Sequence, residues 1–147
     1  MDRVKFKIQG RTFFSWSLEL HVEHMNYGNH LANDKVLTLC HEARVRWLRE
    51  NNHTELDIGG KALIQADAMI MYKSQGYVGD SIQIDLSLGE FNSKSFSLYY
   101  SISNTESGAE IARVKTALLF FDYQTQSITS ASSSFLDYLK EIKEREL

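Results

Sequence analysis

Four long segments in the second half of the chain alternate apolar and polar residues, and this pattern limits the possible folds more than any other feature. The alternation covers residues 64–72, 82–88, 96–102 and 114–120. A period of two predicts β-strands that each turn one side toward a core. Short stretches with glycine and other turn-forming residues separate the segments, so consecutive strands are expected to pair antiparallel.

One helical segment precedes these strands. Its apolar residues recur at helical spacing, at Val36, Cys40, Ala43 and Trp47. The helix is expected to begin at Asn33 or Asp34, either of which can cap it, and to end near residues 51–53.

Shorter patterns complete the layout. Alternation over residues 4–8 and 16–22 predicts strands near the N-terminus, and an apolar stripe over residues 135–142 predicts a last helix capped within the serines 132–134. The sequence therefore predicts one α+β domain over residues 1–147, with a long helix, an antiparallel sheet of five to six strands and a C-terminal helix. One helix cannot cover both faces of such a sheet, so a homo-oligomer, a dimer or a tetramer, is expected.

Composition narrows the classes of partner. The formal net charge is -3 and there is no dense basic cluster, so nucleic acid is not an expected partner. No apolar run is long enough to cross a bilayer, and the alternating charges at the N-terminus do not match a signal peptide. A single cysteine among 147 residues fits a cytoplasmic location.

The densest group of reactive and hydrogen-bonding side chains lies directly before the helix. It comprises His24, Asn26, His30, Asn33 and Asp34. The first turn of a helix has backbone N–H groups without intrahelical partners and carries the positive end of the helix dipole, so it can stabilise an oxyanion. A carbonyl bound at this point would be polarised.

The stretch from His24 to Asn33, followed by His41-Glu42-Ala43-Arg44 in the helix, resembles the signature of the hotdog-fold acyl-CoA thioesterases of the 4-hydroxybenzoyl-CoA type. The similarity extends to residues 72–80, 91–100 and 112–123. The resemblance implies a hotdog fold, in which an antiparallel sheet wraps a long central helix. It also implies hydrolysis of an acyl-CoA to free acid and coenzyme A, at sites between subunits, with no cofactor apart from the coenzyme A of the substrate.

The resemblance assigns catalytic roles to four residues. Asn26 occupies the position of a catalytic Asp in many relatives, the backbone N–H of Asn33 is expected to polarise the thioester carbonyl, and His30 matches the motif histidine. Because an amide cannot act as a general base, Asn26 is expected to position the reactants. Relatives often carry Glu where this chain has His41, so Glu42, His41 and His30 all remain candidates for activating water.

Six further residues are predicted to bind the substrate. They are Tyr27, Gly28, Asn92, Lys94, Ser95 and Phe96. Gly28 is expected to take a positive φ and let the chain approach a ligand, and by resemblance residues 92–96 contact the phosphates and pantetheine of the coenzyme. The alternatives are structural: an Asx turn at Asn26, an N-cap at Asn33 and a solvated turn lysine at Lys94.

Other chemistries are less well supported. The spacing of His24, His30, Asp34 and His41 matches no zinc pattern, so no metal is expected. Cys40 lies in the apolar stripe of the helix and is expected to behave as a small hydrophobe. Two other functions remain open: a dehydratase or hydratase of 3-hydroxyacyl or enoyl thioesters, and a non-catalytic oligomer that binds acyl-CoA.

Overall fold

Six strands and two α-helices make up the computed structural model, which describes residues 1–145. The strands are β1 (Thr12–Glu19), β2 (Ala62–Tyr72), β3 (Ser81–Phe91), β4 (Ser95–Asn104), β5 (Glu110–Asp122) and β6 (Ser127–Ile128). The helices are α1 (Asn33–Glu50) and α2 (Ser133–Glu144). Residues 146 and 147 of the predicted domain lie outside the described part of the chain.

All strands join one antiparallel sheet, in the order β1-β3-β4-β5-β2, with β6 added to β5. The four strands predicted from the alternating segments are β2 to β5, and the long helix precedes them as expected. The predicted α+β layout is therefore confirmed.

The core lies between the inner face of the sheet and the buried side of α1. Ile82, Ile84, Leu86 and Leu88, the alternating residues of β3, are all fully buried. Trp47 of α1 packs against an aromatic cluster, and its indole N–H donates to the Tyr138 hydroxyl of α2 at 2.8 Å. That contact fixes α2 against α1 at the end opposite the helix start.

The N-terminal prediction is only partly correct. Strand β1 accounts for part of the second alternating stretch, but residues 4–8 form no strand and Val22 lies in a short 3-10 helix, Val22–His24. The carbonyl of Phe6 accepts a hydrogen bond from the Arg113 side chain at 2.7 Å. An alternating segment becomes a strand only where a neighbouring edge supplies backbone partners, and here a side chain takes that role.

Helix α1 begins at Asn33, as predicted, but its N-cap differs from the prediction. Ala32 is the N-cap residue, with no side-chain cap, so Asn33 and Asp34 both lie inside the first turn. The helix ends at Glu50, with Asn51 as its C-cap, as the sequence predicts. At α2, the hydroxyl of Ser132 accepts from the N–H of Phe135 at 3.3 Å and caps that helix.

Strand β2 is an end strand of the sheet and runs antiparallel to α1. At one end of β2 the Tyr72 hydroxyl donates to the carbonyl of Asn33 at 3.2 Å, and toward the other end Arg44 Nη1 donates to Gln65 Oε1 at 3.3 Å. The face of α1 that carries Asn33 and Arg44 is therefore the one next to β2. The sheet order pairs β2 with β5 alone among the described strands.

Candidate active site

The loop before α1 closes on itself through Asn26. Its Oδ1 accepts from the N–H of Gly28 at 2.9 Å and from that of His30 at 3.2 Å, and its own N–H donates to the carbonyl of His30 at 2.8 Å. This is an Asx turn, so the structural alternative for Asn26 is realised. Both side-chain bonds use Oδ1, which leaves the Nδ2 amide as the group that can donate to a ligand.

Gly28 does not take the predicted positive φ. The left-handed residue of the loop is Asn29, with φ 65°, which an Asn adopts more readily than most residues. A Cβ at Gly28 would lie 3.3 Å from Asn26 Oδ1, so a side chain there would require Asn26 to shift by a few tenths of an ångström. Tyr27 projects fully into solvent at the tip of the loop.

Two backbone hydrogen bonds attach the loop to its surroundings. The N–H of Ala32 donates to the carbonyl of His24 at 2.9 Å, and the N–H of Leu31 donates to that of Gly76 at 2.8 Å. These bonds fix the point at which α1 begins. The backbone N–H groups of Asn33 and Asp34 have no partner within the helix, as at any helix start, whereas that of Lys35 donates to the carbonyl of Ala32 at 3.0 Å.

A cleft of about 290 Å³ opens beside this helix start. It is lined by Leu31, Asn33, Val36, Tyr72, Lys73, Ser74, Gln75 and Ile111. The volume is close to the lower end of ligand-binding clefts, roughly 300 Å³. A carbonyl oxygen in this cleft would meet the free N–H groups and the positive end of the α1 dipole.

Of the candidate bases, His30 lies nearest in the chain to this cleft. It is half-buried, and its ring packs edge-on against Tyr77 with centroids 5.3 Å apart. His24, at the other end of the loop, accepts the N–H of His21 through Nδ1 at 2.9 Å. Neither contact supplies an acid to orient the imidazole.

Glu42 lies away from the helix start. It is nine residues, or about 13 Å, along α1 from Asn33 and about half a turn round the helix. Its carboxylate pairs with Arg46 at 2.8 Å, and the guanidinium of Arg46 in turn covers the ring of Trp16 in β1. The structure therefore does not bring Glu42 together with Asn26, His30 and Asn33 within one chain.

His41 lies on the β2 side of α1 and forms part of a polar network. Its Nε2 is 2.5 Å from Glu55 Oε1, and Arg44 Nε donates to Glu55 Oε2 at 2.8 Å. Arg44 also donates to the hydroxyl of Tyr100 at 2.9 Å, which is 2.8 Å from the Thr116 hydroxyl. Burial alone would raise the pKa of Glu55, but Arg44 and His41 outweigh it and hold that pKa below its ordinary value.

The predicted coenzyme contacts lie at the opposite end of the sheet. Asn92 Oδ1 accepts from the N–H groups of Lys94 and Ser95 at 2.8 and 3.0 Å, forming the turn between β3 and β4. The turn comes directly after β3, at one end of that strand. The start of α1 lies at the other end, beside the residues that precede β3, so the length of the strand, about 30 Å, separates the two. Phe96 is a correction: it is 1% exposed and packs on Trp47 in the core, so it cannot touch a substrate.

Three further expectations concern Cys40, metal binding and membrane-spanning helices. Cys40 is buried, and burial raises the pKa of its thiol well above the usual range, in keeping with a small hydrophobe. No group of three or more His, Cys, Asp or Glu side chains within residues 1–145 is placed to hold a metal ion. In the same range, no helix is long and apolar enough to cross a membrane.

The sequence did not single out Glu55 or Tyr72. Glu55 lies in a short irregular segment between α1 and β2, and only the fold brings it to His41 and Arg44. Tyr72 ends an alternating segment like any strand residue. Neither position carries a local signal, because each meets its partner on another element.

Comparison with known proteins gives a consistent picture. A family model described as the thioesterase-like superfamily matches residues 20–141. The chain is 30% identical over 87 residues to a 1,4-dihydroxy-2-naphthoyl-CoA hydrolase from Synechocystis. That match includes 56% of this chain and spans 62% of the length of the relative.

Solved structures show the same fold. A 1,4-dihydroxy-2-naphthoyl-CoA thioesterase from Synechocystis superposes with a TM-score of 0.80 at 20% identity, covering 88% of this chain and 97% of that one. A Staphylococcus aureus protein in complex with CoA gives a TM-score of 0.83 at 13% identity, covering 97% and 90%. The likeness confirms the predicted fold class.

Proposed function

The chain belongs to the thioesterase-like superfamily, and we propose on that premise that it hydrolyses the thioester bond of an acyl-coenzyme A to free acid and coenzyme A. The observation that carries the proposal is the cleft at the start of α1, where the backbone N–H of Asn33 lies next to the loop held by Asn26. The cleft therefore places a group that can polarise a carbonyl beside a space that can hold a ligand.

In the proposed reaction, the thioester carbonyl oxygen binds the N–H of Asn33. The oxygen of a water molecule attacks the carbonyl carbon, and the negative charge that develops on the carbonyl oxygen is stabilised by that N–H and the helix dipole. Glu42 or a histidine accepts the proton that the water gives up. The intermediate then collapses, the carbon–sulfur bond breaks, and the sulfur leaves as the thiol with that proton. The Asn26 amide donates to the substrate or to the water, and His30 lies beside it in the same loop.

The coenzyme, the assembly and the location complete the proposal. Tyr27, Gly28 and the turn with Asn92, Lys94 and Ser95 remain the predicted substrate contacts. Because that turn is far from the cleft of the same chain, its role depends on a second subunit. We propose a homodimer, alone or as half of a tetramer, in the cytoplasm, with coenzyme A entering only as part of the substrate.

The first test follows free thiol release from short, medium, long and aromatic acyl-CoAs. Wild type should release thiol from at least one class, and Asn26→Ala should lower kcat by about 10- to 100-fold because the reactants lose an orienting donor. Asn26→Asp is the matched control, since Asp keeps the Oδ1 acceptor of the turn and adds a possible base.

Three outcomes have distinct meanings. Loss in Asn26→Ala with retention in Asn26→Asp supports the proposal. Unchanged turnover in Asn26→Ala would remove Asn26 from the mechanism. Tight binding of every acyl-CoA with no release of thiol from any of them would contradict hydrolysis and leave a binding protein.

A further inference from the structure

A second cleft adjoins the one at the start of α1. It has a volume of about 500 Å³, and it is lined by residues 3–5 of the N-terminal segment and by residues 70–73, at the end of β2. Tyr72 and Lys73 line both clefts, so the two spaces share a wall. The volume lies within the range of ligand-binding clefts, about 300–1,000 Å³.

The N-terminal segment that borders this second cleft is attached to the sheet at Phe6. The N–H of Phe6 donates to the Met71 sulfur at 3.4 Å, and its carbonyl accepts from Arg113 at 2.7 Å. The ring of Phe6 also packs against that of Tyr99, with centroids 6.1 Å apart. Contacts with three strands, β2, β4 and β5, therefore hold the backbone directly after residues 3–5.

The second cleft is positively charged. Arg3, Lys5 and Lys73 line it, and none of its lining residues, all within residues 1–145, is acidic. Arg3 and Lys5 are exposed and form no ion pair with another side chain in that range. The acid that interacts with Lys73, Glu110, is itself bound by Arg113 at 2.8 Å. Three cations thus share one space in a chain whose net charge is -3.

A cleft with these cations suits a phosphate group. Arginine presents several N–H donors in a plane and lysine a compact positive charge, and phosphate oxygens accept from both. The coenzyme A of the proposed substrate carries a diphosphate between its pantetheine arm and its nucleotide, and another phosphate on the ribose. An uncharged acyl group would gain nothing from the three cations, so the second cleft fits the coenzyme better than the acyl group.

The length of the pantetheine arm agrees with the arrangement of the two clefts. About 13 covalent bonds separate the thioester sulfur from the diphosphate, and a chain of that length, like about four extended residues, spans roughly 14 Å. From the wall that the clefts share, the second one extends about 10 Å along β2 to Ile70. A thioester held at Asn33 can therefore place its diphosphate beside Arg3 and Lys5.

We propose that Arg3, Lys5 and Lys73 bind the diphosphate of coenzyme A while the thioester lies in the cleft at the start of α1. The inference rests on the proposed thioesterase function. The diphosphate stays far from the reacting carbonyl, so these side chains lower KM and leave kcat unchanged. The turn with Lys94 of a second subunit remains the predicted contact for the ribose phosphate and the pantetheine arm.

Substrates that lack successive parts of the coenzyme test the assignment. The acyl group that is turned over best is supplied as the thioester of coenzyme A, of dephospho-coenzyme A, which lacks only the ribose phosphate, and of pantetheine, which also lacks the diphosphate. KM and kcat are measured for wild type, Lys5→Ala, the double variant Arg3→Ala/Lys5→Ala, and Lys7→Ala. Lys7 is the matched control, since it is an exposed cation of the same segment but is not a lining residue of the cleft.

The double variant should raise KM about tenfold for the thioesters of coenzyme A and dephospho-coenzyme A, because charged hydrogen bonds to the diphosphate are lost. Lys5→Ala should have part of that effect. KM for the pantetheine thioester and every kcat should stay unchanged, and Lys7→Ala should match wild type throughout. An equal rise of KM for all three substrates would mean that the N-terminal segment only supports the fold. That result, an effect confined to coenzyme A, or an unchanged KM would overturn the proposal.

Direct binding separates this inference from the proposed function. Calorimetry with free coenzyme A needs no turnover, and the double variant should bind it about tenfold more weakly than wild type or Lys7→Ala. The difference should shrink as salt is added, since exposed charges are screened. If no thioester is hydrolysed, hydrolysis is contradicted, but this loss of affinity would still support the cationic site. An equal Kd for wild type and the double variant would overturn the site, whatever the activity.

Discussion

Arg44 is the only charged side chain among residues 1–145 that is buried, with 4% of its surface exposed. It donates to Glu55, Gln65 and Tyr100, so its charge is both paired and hydrogen-bonded. Removing one partner of a buried pair is destabilising, and Glu55 would keep only its contact with His41 among the ion pairs described above. Arg44→Met should therefore destabilise the fold by about 2–3 kcal/mol at pH 7, measured by urea unfolding.

The ion pair between Arg44 and Glu55 also leads to a prediction about how stability depends on pH. The pKa of Glu55 is lowered from its ordinary value of 4.5, so its stabilising effect is present above that value and disappears as pH falls through the folded-state pKa. The difference in unfolding free energy between wild type and Arg44→Met should shrink as pH falls below 4.5 and through the folded-state pKa of Glu55. Arg46→Met, which removes the exposed pair with Glu42, serves as the control and should cost less than about 1 kcal/mol. An equal cost for both variants would contradict the role of burial.

At the scale of elements, the start of α1 depends on the segment between β2 and β3. A Cβ at Gly76 would lie 2.9 Å from Leu20 Cδ1 and 3.2 Å from Leu31 Cβ. Leu20 can move the end of its side chain, but Leu31 is two residues from the helix and bonded to the carbonyl of Gly76. Gly76→Ala should thus cost about 1–3 kcal/mol and also lower kcat, because the cleft wall shifts.

Ser132→Ala separates the two effects of Gly76→Ala. It removes the cap of α2, far from the helix start, and should cost about 1 kcal/mol without changing kcat. Thermal unfolding and thiol release on the same samples make the comparison. A Gly76→Ala enzyme with wild-type kcat would show that the cleft tolerates movement of Leu31.

These elements were predictable to different degrees. The four alternating segments and the long helix carry their period in the sequence itself, so β2 to β5 and α1 were predicted. Residues 4–8 have the same alternation, but the N–H and carbonyl of Phe6 bond to the side chains of Met71 and Arg113, which a local pattern cannot reveal. Phe96 was wrongly predicted to contact the substrate for a related reason. The turn before it is exposed, but the side chain of Phe96 faces the core.

Prediction of the candidate site from local sequence patterns is limited in the same way, and more strongly. Asn26, His30 and Asn33 follow one another in the chain, and the structure keeps them in one loop and helix start. Glu55 and His41 are brought together by the return of the chain after α1, and no spacing rule links them. Groups of residues that lie close together in the chain can be predicted from sequence, whereas contacts between distant segments become known only from the structure.

For the whole molecule, the end strand β2 offers an edge through which the proposed homodimer would form, since it pairs with β5 alone among the described strands. A lysine on a strand edge discourages pairing with another strand, since the charge would have to be buried. Met69→Lys should therefore halve the mass of the proposed two-fold unit in light scattering. It should also lower thiol release while each chain stays folded, because the turn with Asn92, Lys94 and Ser95 of a second subunit would no longer reach the cleft. Ile128→Lys, an exposed apolar residue on β6, is the matched control and should keep both mass and activity. A folded, fully active Met69→Lys monomer would mean that one chain holds every group the reaction needs.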